Sequence, residues 1–364
     1  MKLPENLLEQ IPESGARLLA LSSLDTASAA VRRLEDPHDT EALHDFRVAV
    51  RGLRSRLKAY RRYFKQNISR KLLTKVKELA SSTNATRDAE VQLQWLNAQK
   101  KALEGKHALG LQRLIDRLSS FKSAGYDEIR AQVQERFGKL EPKLRERLMM
   151  YRLEIHLERP RADCTFAAAT AELIREDAQE LEDYLRFIEG PEDEENSHEA
   201  RLVVKRLRCL LDPIRHFIPE CKPMVKRLKG LQDTLGELHD SHVMSTEVGA
   251  TIEVAATQQA RELLASVMGG YDSDRSRHDQ ECRDIVAIAN VVRGRTLDLY
   301  QKLEKSWLRG RAEGFLGQVH DLANRLSAYE AITPHARLSR VARLLWSPRP
   351  ATPEEGGKGS SRVA

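Results

Sequence analysis

Two stretches of the sequence carry a histidine followed by closely spaced arginines. The first reads "HDFRVAVRGLRSRLKAYRRYF" (44–64) and the second reads "HEARLVVKRLRCLLDPIRHFI" (198–218). Residues three or four positions apart share one face of a helix. The first stretch therefore places six basic side chains on one stripe: His44, Arg47, Arg51, Arg54, Lys58 and Arg61. Because guanidinium groups bind phosphate oxygens bidentately, this spacing predicts binding of a polymer with regularly spaced anionic groups.

The second stretch repeats the first at an offset of 154 residues. The equivalent basic pairs are His44 with His198, Arg47 with Arg201, Arg51 with Lys205 and Arg54 with Arg208. A second block, "VKELASSTNATRDAEV" (76–91), matches "LKGLQDTLGELHDSHV" (228–243) at an offset of 152 residues. It adds to the candidate site Lys77 with Lys229 and Arg87 with His239. Two blocks in the same order predict two copies of one helical unit.

Basic residues far outnumber acidic residues in both stretches. Residues 44–77 contain twelve Lys or Arg and one acid, and residues 198–229 contain nine Lys or Arg and three acids. Like charges one helical turn apart destabilise a helix by about 0.2–0.5 kcal/mol per pair. A solvated cationic face is the ordinary interpretation of one such run. Duplication of the run beside an apolar stripe instead favours a bound anion that compensates the repulsion.

Composition and periodicity predict an all-α fold. The chain has 364 residues, of which 41% are hydrophobic and only 5% aromatic, and apolar residues recur at helical spacing almost throughout. The predicted helical segments are 13–35, 41–65, 69–83, 88–104, 108–157, 165–188, 197–218, 223–237, 240–268 and 275–309. We expect two pseudo-symmetric helical-bundle repeats packed around a central basic cavity. The boundaries are 1–163 for the first half, 164–310 for the second, 311–346 for a helical extension and 347–364 for a disordered tail.

Local signals predict where these helices begin and end. Asp39 or Thr40 should cap the first cationic helix, and Asn196 or Ser197 the second, which places His44 and His198 near helix N-termini that favour anions. Pro213 should bend or break the second helix. In the second block, Asn84 and Gly236 should end a helix in the left-handed conformation, and Asp88 and Asp240 should cap the next one.

The cysteines, the lack of long apolar runs and the net charge limit where the protein can be located and which kinds of site it can contain. The four cysteines form no CxxC pair and no zinc spacing, which indicates reduced thiols in a cytoplasmic protein without a metal site. The acidic residues near position 1 and the lack of an apolar run there lead us to expect no secretory signal, and no uncharged apolar run is long enough to span a membrane. The net charge of +6 is modest, so its concentration in two stretches matters more than its size.

The repeated residues resemble the CHAD family, the conserved histidine α-helical domain. The family's helix pattern appears as "HDFRVAVRGLR" and "HEARLVVKRLR", and its turn pattern appears as "TNATRD" and "LGELHD". The resemblance covers about residues 10–310. It implies an all-α fold of two halves around a basic cavity, inorganic polyphosphate as the ligand, association with polyphosphate granules, and neither catalysis nor a cofactor.

The resemblance assigns polyphosphate contacts to residues of both stretches. In the second stretch it includes Arg206, which has no basic counterpart in the first. The residues are His44, Arg47, Arg51, Arg54, His198, Arg201, Lys205, Arg206 and Arg208. Gly52 stands where the family has an arginine equivalent to Arg206. This glycine removes one cation and costs about 1 kcal/mol of helix stability.

Three other functions compete with polyphosphate binding. Nucleic acid is the first alternative partner, although Phe46, Tyr60 and Phe64 fall on the apolar face and the cationic stripes contain no aromatic residue to stack bases. A metal-dependent phosphohydrolase of HD type is the second alternative, because "HD" occurs at 44–45 and 239–240. The acid of the first pair, however, lies beside the arginine stripe, which is a poor environment for a metal cation.

A structural role is the third alternative, suggested by the basic amphipathic segment "HARLSRVARLLW" (335–346). The oligomeric state is not predicted.

Overall fold

The protein is an assembly of antiparallel and crossing helices, and no strand occurs in the part of the chain that is described. The computed structural model describes residues 2–329, with gaps at 37, 40, 65–67, 83, 104–106, 124–125, 158–163 and 269–274. Within helices, the side chains of 84–89, 102, 121–123, 126–127, 150–157, 266 and 275–276 are also outside the description. The all-α prediction is confirmed.

In the described part of the chain, seven helices precede the middle, after a 3-10 turn at Leu7–Glu9. They are α1 (Pro12–Arg33), α2 (Ala42–Ala59), α3 (Arg61–Phe64), α4 (Arg70–Ser81), α5 (Asn84–Leu103), α6 (Ala108–Ser123) and α7 (Tyr126–Leu157). Five follow it: α8 (Phe166–Phe187), α9 (Glu194–Ile214), α10 (Cys221–Val267), α11 (Arg275–Ser306) and α12 (Glu313–Ser327). The first cationic stretch forms α2 and α3, and the second forms α9.

The main hydrophobic core holds both cationic helices in place. Phe46, Val50 and Leu53 of α2 are each 1% exposed, and Val204 and Leu207 of α9 are fully buried. α2 packs on α1, and α9 packs on α8, so each cationic helix lies against the long helix that precedes it. This shared order agrees with a duplicated unit, while a symmetry axis between the halves stays a prediction.

A second, smaller core joins α5 and α6 to α10 and α11. Its buried residues include Leu96, Leu114, Val248 and Ile288. Asp284 of α11 is 1% exposed and accepts hydrogen bonds from the backbone amides of Leu109 and Gly110 at 3.2 and 3.3 Å. Helices from the first predicted half therefore share this core with helices from the second.

Two predicted boundaries inside long helices are wrong. The segment 108–157 is two helices, because α6 ends at Ser123, just before Gly125 in the sequence. The segments 223–237 and 240–268 are one helix, α10, which runs through Gly236 and Asp240 without a cap. Among the described residues only Arg309 and Gly310 have a positive φ, so neither Asn84 nor Gly236 ends a helix in the left-handed conformation. Buried Leu235 and Leu238 beside Gly236 provide the packing that keeps this helix continuous.

The starts of the two cationic helices differ. The N-cap of α2 is Glu41, which makes no side-chain capping bond, so the prediction of Asp39 or Thr40 as the cap is wrong. Asp39 Oδ1 still accepts from the backbone amide of Ala42 at 3.0 Å, and His44 lies in the first turn of α2. α9 starts earlier than predicted: Asp193 caps it by accepting from the amide of Asn196 at 3.1 Å, which leaves His198 in the second turn.

The second cationic helix ends where its proline predicts. α9 ends at Ile214, one residue after Pro213, and Arg215 pairs with Asp212 at 3.1 Å instead of extending the stripe. The predicted helix at 335–346 and the tail at 347–364 lie outside the described residues.

None of the described helices is long and apolar enough to cross a membrane.

Candidate anion-binding site

The crossing of α2 and α9 brings the two cationic stripes together. The two helices are in contact, and the thiol of Cys209 on α9 lies 3.9 Å from the carbonyl oxygen of Gly52 on α2. Four cations surround this crossing: Arg51, Arg54, Arg201 and Lys205, here called the interhelical cation cluster. Two of its members come from each stripe.

Lys205 is the best-defined member of the interhelical cation cluster. Its pKa falls to about 8 because burial disfavours the charged form and because Arg51, Arg201 and Arg54 repel its charge. No described acid pairs with Arg54, Arg201 or Lys205, and all three are half-buried. The site is therefore positively charged and partly shielded from water, which strengthens its attraction for an anion.

Histidines extend the site from Arg201 towards α10. The rings of His198 and His239 lie with their centroids 5.0 Å apart. The pKa of His239 falls to about 4, first because of burial and then through repulsion from Arg201, His198 and His242. The Nδ1 atom of His239 is buried without a hydrogen-bond partner among the described residues. The His198–His239 pair therefore adds two imidazole rings to the cationic surroundings of Arg201.

Two residues of α10 line the second stripe. Gly236 lies beside Arg201, whose Nε atom would be 3.7 Å from a Cβ atom at that position. The Nη1 atom of Arg208 donates to Gln232 Oε1 at 2.8 Å, and its Nε is buried without a partner in the described part of the chain. Gln232 orients Arg208 and was missed from the sequence, because glutamine on a helix surface carries no signal of its own.

Arg47, the equivalent of Arg201, has a different environment. It is 5% exposed, and its Nη1 atom lies 3.5 Å from Glu90 Oε2 on α5. Position 90 aligns with His242 in the second block, where no carboxylate is present. An internal carboxylate thus already compensates part of the charge of the first stripe.

Arg206 faces α8 instead of the interhelical cation cluster. Its Nε donates to Asp177 Oδ1 at 2.9 Å, and its Nη2 donates to Glu180. Burial raises the pKa of Asp177 to about 6 even though Arg206 opposes the shift. The extra cation that distinguishes the second stretch from the first is thus committed to an ion pair within the protein.

The other residues predicted to bind polyphosphate lie on the surface, except for one whose side chain is outside the described residues. Exposed side chains belong to His44, Lys58, Arg61, Lys77 and Lys229. The side chain of Arg87 is outside the described residues. The structure therefore brings together only part of the predicted set, while Lys58 and Arg61 continue the α2 stripe towards solvent.

The residues of the HD alternative do not form a metal site in the described structure. The carboxylate of Asp45 is bound by Arg33 of α1. Among the described residues, no group of three or more His, Cys, Asp or Glu is placed to hold a metal ion.

An open groove of about 710 Å³ lies between α10 and α12, away from the predicted residues. Its walls include Met224, Phe315 and the exposed Arg227, whose guanidinium stacks 5.0 Å from the Trp307 ring centroid. Its charged residues are balanced, with Glu220 and Asp321 against Arg227 and Arg325. This groove therefore lacks the net positive charge expected of the anion site.

Comparison with known proteins supports the all-α fold. No protein with a curated description matches the sequence significantly. The structure resembles the crystal structure of the CHAD domain from the plant Ricinus communis, with a TM-score of 0.52 and 18% sequence identity, over 89% of this chain and 94% of that one. At this identity the likeness concerns the fold alone. The CHAD domain model matches residues 18–248, which include both cationic helices and more than half of the chain. This protein therefore belongs to the CHAD domain family.

Proposed function

We propose that this protein binds inorganic polyphosphate at the crossing of α2 and α9. The observation that supports this most strongly is the interhelical cation cluster, in which Arg54, Arg201 and Lys205 are half-buried and none of the three pairs with a described acid. Such a cluster destabilises the free protein, and a bound polyanion removes that cost. Membership of the CHAD family supports the same ligand.

A polymer suits the site better than one small anion. Basic residues on a helical stripe recur every 4.5–6 Å along the axis, given a rise of about 1.5 Å per residue. The α2 stripe runs from the cluster through Lys58 to Arg61, both of which are exposed. A chain of linked phosphates can contact the cluster and this exposed part together, whereas one phosphate cannot.

Polyphosphate also suits the site better than single-stranded nucleic acid. Proteins that bind single strands stack bases on exposed aromatic rings. Three of the four aromatic residues of the first stretch are buried instead: Phe46 and Tyr60 are each 1% exposed and Phe64 is 2% exposed. The fourth, Tyr63, is half-buried, and the Arg62 guanidinium lies 5.0 Å from its ring centroid. The hydroxyl of Tyr60 is held 3.0 Å from Thr170 Oγ1 inside the core.

The test removes two charges from the interhelical cation cluster. Arg54→Gln with Arg201→Gln should lower polyphosphate affinity at least about tenfold, since each charge-assisted contact contributes about 1.5–3 kcal/mol. The matched control is Arg283→Gln with Arg293→Gln, which removes the same charge from exposed positions on α11. Equal affinity of both double variants would contradict the proposed site.

A competition experiment separates the two partners. Binding of polyphosphate and of RNA both weaken with salt, so salt dependence alone does not distinguish them. Unlabelled single-stranded RNA should fail to displace labelled polyphosphate at equal phosphate concentration. Displacement at comparable concentration would favour the nucleic-acid alternative.

A further inference from the structure

One member of the interhelical cation cluster can change its charge at an accessible pH. Lys205 and Arg51 are equivalent positions of the repeat, and both are half-buried. They lie at the contact of α2 with α9, where the carbonyl oxygen of Gly52, the residue after Arg51, is 3.9 Å from the Cys209 thiol, one turn after Lys205. A guanidinium remains protonated at every pH that a protein tolerates, whereas a lysine ammonium releases its proton when it is buried among cations. The second copy therefore has a titratable group where the first has a permanent charge.

The surroundings of Lys205 oppose its charge from both helices. Arg51 and Arg54 face it from α2, and Arg201 faces it from one turn earlier on α9. The thiol of Cys209 lies one turn later on α9, and burial raises the pKa of this thiol although the positive charges of Arg56 and Lys205 favour its ionisation. The cysteine is therefore protonated near neutral pH and does not balance the lysine.

We propose that Lys205 takes up a proton from solvent when the interhelical cation cluster binds a polyanion, so that affinity decreases in alkaline solution. This inference rests on the proposed function and adds a regulation to it. The anion brings negative charge next to the ammonium group and restores the stability that burial beside three guanidinium groups removes. Linkage requires the converse: loss of the Lys205 proton weakens binding of the anion by the same factor.

The expected size of the effect follows from the titration of Lys205. With a pKa near 8 in the free protein, about a quarter of the molecules are charged at pH 8.5. Polyanion binding at that pH should therefore take up as much as about 0.75 proton, and at pH 7 only about 0.1. Above pH 8, affinity should fall by up to about tenfold per pH unit until the pKa of the bound state is reached.

Isothermal titration calorimetry with long-chain sodium polyphosphate tests this proposal in the full-length protein. Titrations at pH 8.5 in Tris and in EPPS, two buffers with different ionisation enthalpies, give the number of protons taken up. Lys205→Arg is the matched variant, because it keeps the charge and cannot titrate. The wild type should show uptake and Lys205→Arg none, while Arg283→Gln at an exposed position of α11 should keep both the wild-type affinity at pH 7 and the wild-type uptake at pH 8.5.

The outcomes separate this inference from the function on which it rests. Absence of binding at pH 7 would overturn the proposed function. Binding with no buffer dependence of the heat at pH 8.5 in the wild type would overturn only the role of Lys205, and it needs no variant to be informative. Equal uptake by wild type and Lys205→Arg would also overturn it, since the protons would then come from another group.

Discussion

At the scale of single residues, the interhelical cation cluster lowers the stability of the free protein. Lys205 is half-buried, and arginines on both α2 and α9 repel the charge of its ammonium group. Its pKa is lower in the folded chain than in the unfolded one, so folding at neutral pH requires the charge to be held where it is disfavoured. The unfolded chain binds more protons than the folded chain between pH 8 and about 10.5, and in that window stability rises with pH.

Replacing Lys205 with methionine should therefore stabilise the free protein. At pH 7 the Lys205→Met variant should unfold with a free energy up to about 3 kcal/mol higher than the wild type, because the buried charge is gone. This advantage should shrink between pH 8 and 10. Urea unfolding at pH 7 and pH 10 measures it, with Lys302→Met at an exposed lysine of α11 as the control. A destabilised Lys205→Met variant would show that the ammonium contributes to folding.

Lys205→Met should also weaken polyphosphate binding, so the substitution should raise the stability of the protein and lower its affinity for the ligand. Residues that serve only the fold lose both together. If removal of a charge from the interhelical cation cluster raises stability and lowers affinity, that charge serves binding and not folding. Arg54→Gln should behave in the same way, whereas Arg206→Gln should lose stability because it leaves Asp177 and Glu180 without their partner.

At the scale of elements, a substitution at Gly236 can test whether α10 is a continuous helix or contains a turn. It lies inside α10, and a Cβ atom there would meet Arg201 Nε at an ordinary contact distance of 3.7 Å. Nothing in this geometry requires glycine for its backbone freedom.

Gly236→Ala should accordingly stabilise the protein by up to about 1 kcal/mol, the difference in helix propensity between the two residues. Gly230→Ala on the same helix is the control, since a Cβ at that position meets no atom within 4 Å. Urea unfolding should give similar gains for both. Destabilisation by Gly236→Ala alone would mean that position 236 adopts the left-handed turn expected from the sequence.

Much of the secondary structure could be predicted because helical periodicity persists along most of the chain. Boundaries were harder to predict: "LGELHD" has the residues of a turn, yet burial of Leu235 and Leu238 outweighs the local preference for one. The cation stripes were predicted from spacing alone. Spacing does not show which neighbouring helix each residue faces, so Arg206 looked equivalent to Arg208 although it pairs with α8. Acids such as Asp177 and Glu90 reach the stripes only through the tertiary fold.

At the scale of the whole molecule, the two halves of the chain are joined at points of close approach. Gly15 of α1 lies against Phe166 at the start of α8, and a Cβ at position 15 would be 2.2 Å from the Phe166 Cγ atom. Phe166 is fully buried and stacks near Tyr60, with ring centroids 5.2 Å apart. The contact therefore links the first half, the second half and the cationic stretch of α2–α3.

Gly15→Ala should loosen this link and lower the free energy of unfolding by about 1–3 kcal/mol, the usual cost of overpacking a core. Gly138→Ala on α7 is the matched control, because a Cβ at position 138 meets nothing within 4 Å. Thermal unfolding followed by circular dichroism measures both variants. An unchanged midpoint for Gly15→Ala would show that α1 and α8 can separate without cost to the rest of the fold.

The repulsion within the interhelical cation cluster also bears on the lifetime of the protein. Under the proposed function, a polyanion binds the folded chain and raises the free energy needed to open it. Proteases cleave the open chain, so their rate follows how often the molecule opens. A protein weakened by its own empty binding site is therefore degraded faster when its ligand is scarce. Its abundance would then follow the supply of polyphosphate without any change in its synthesis.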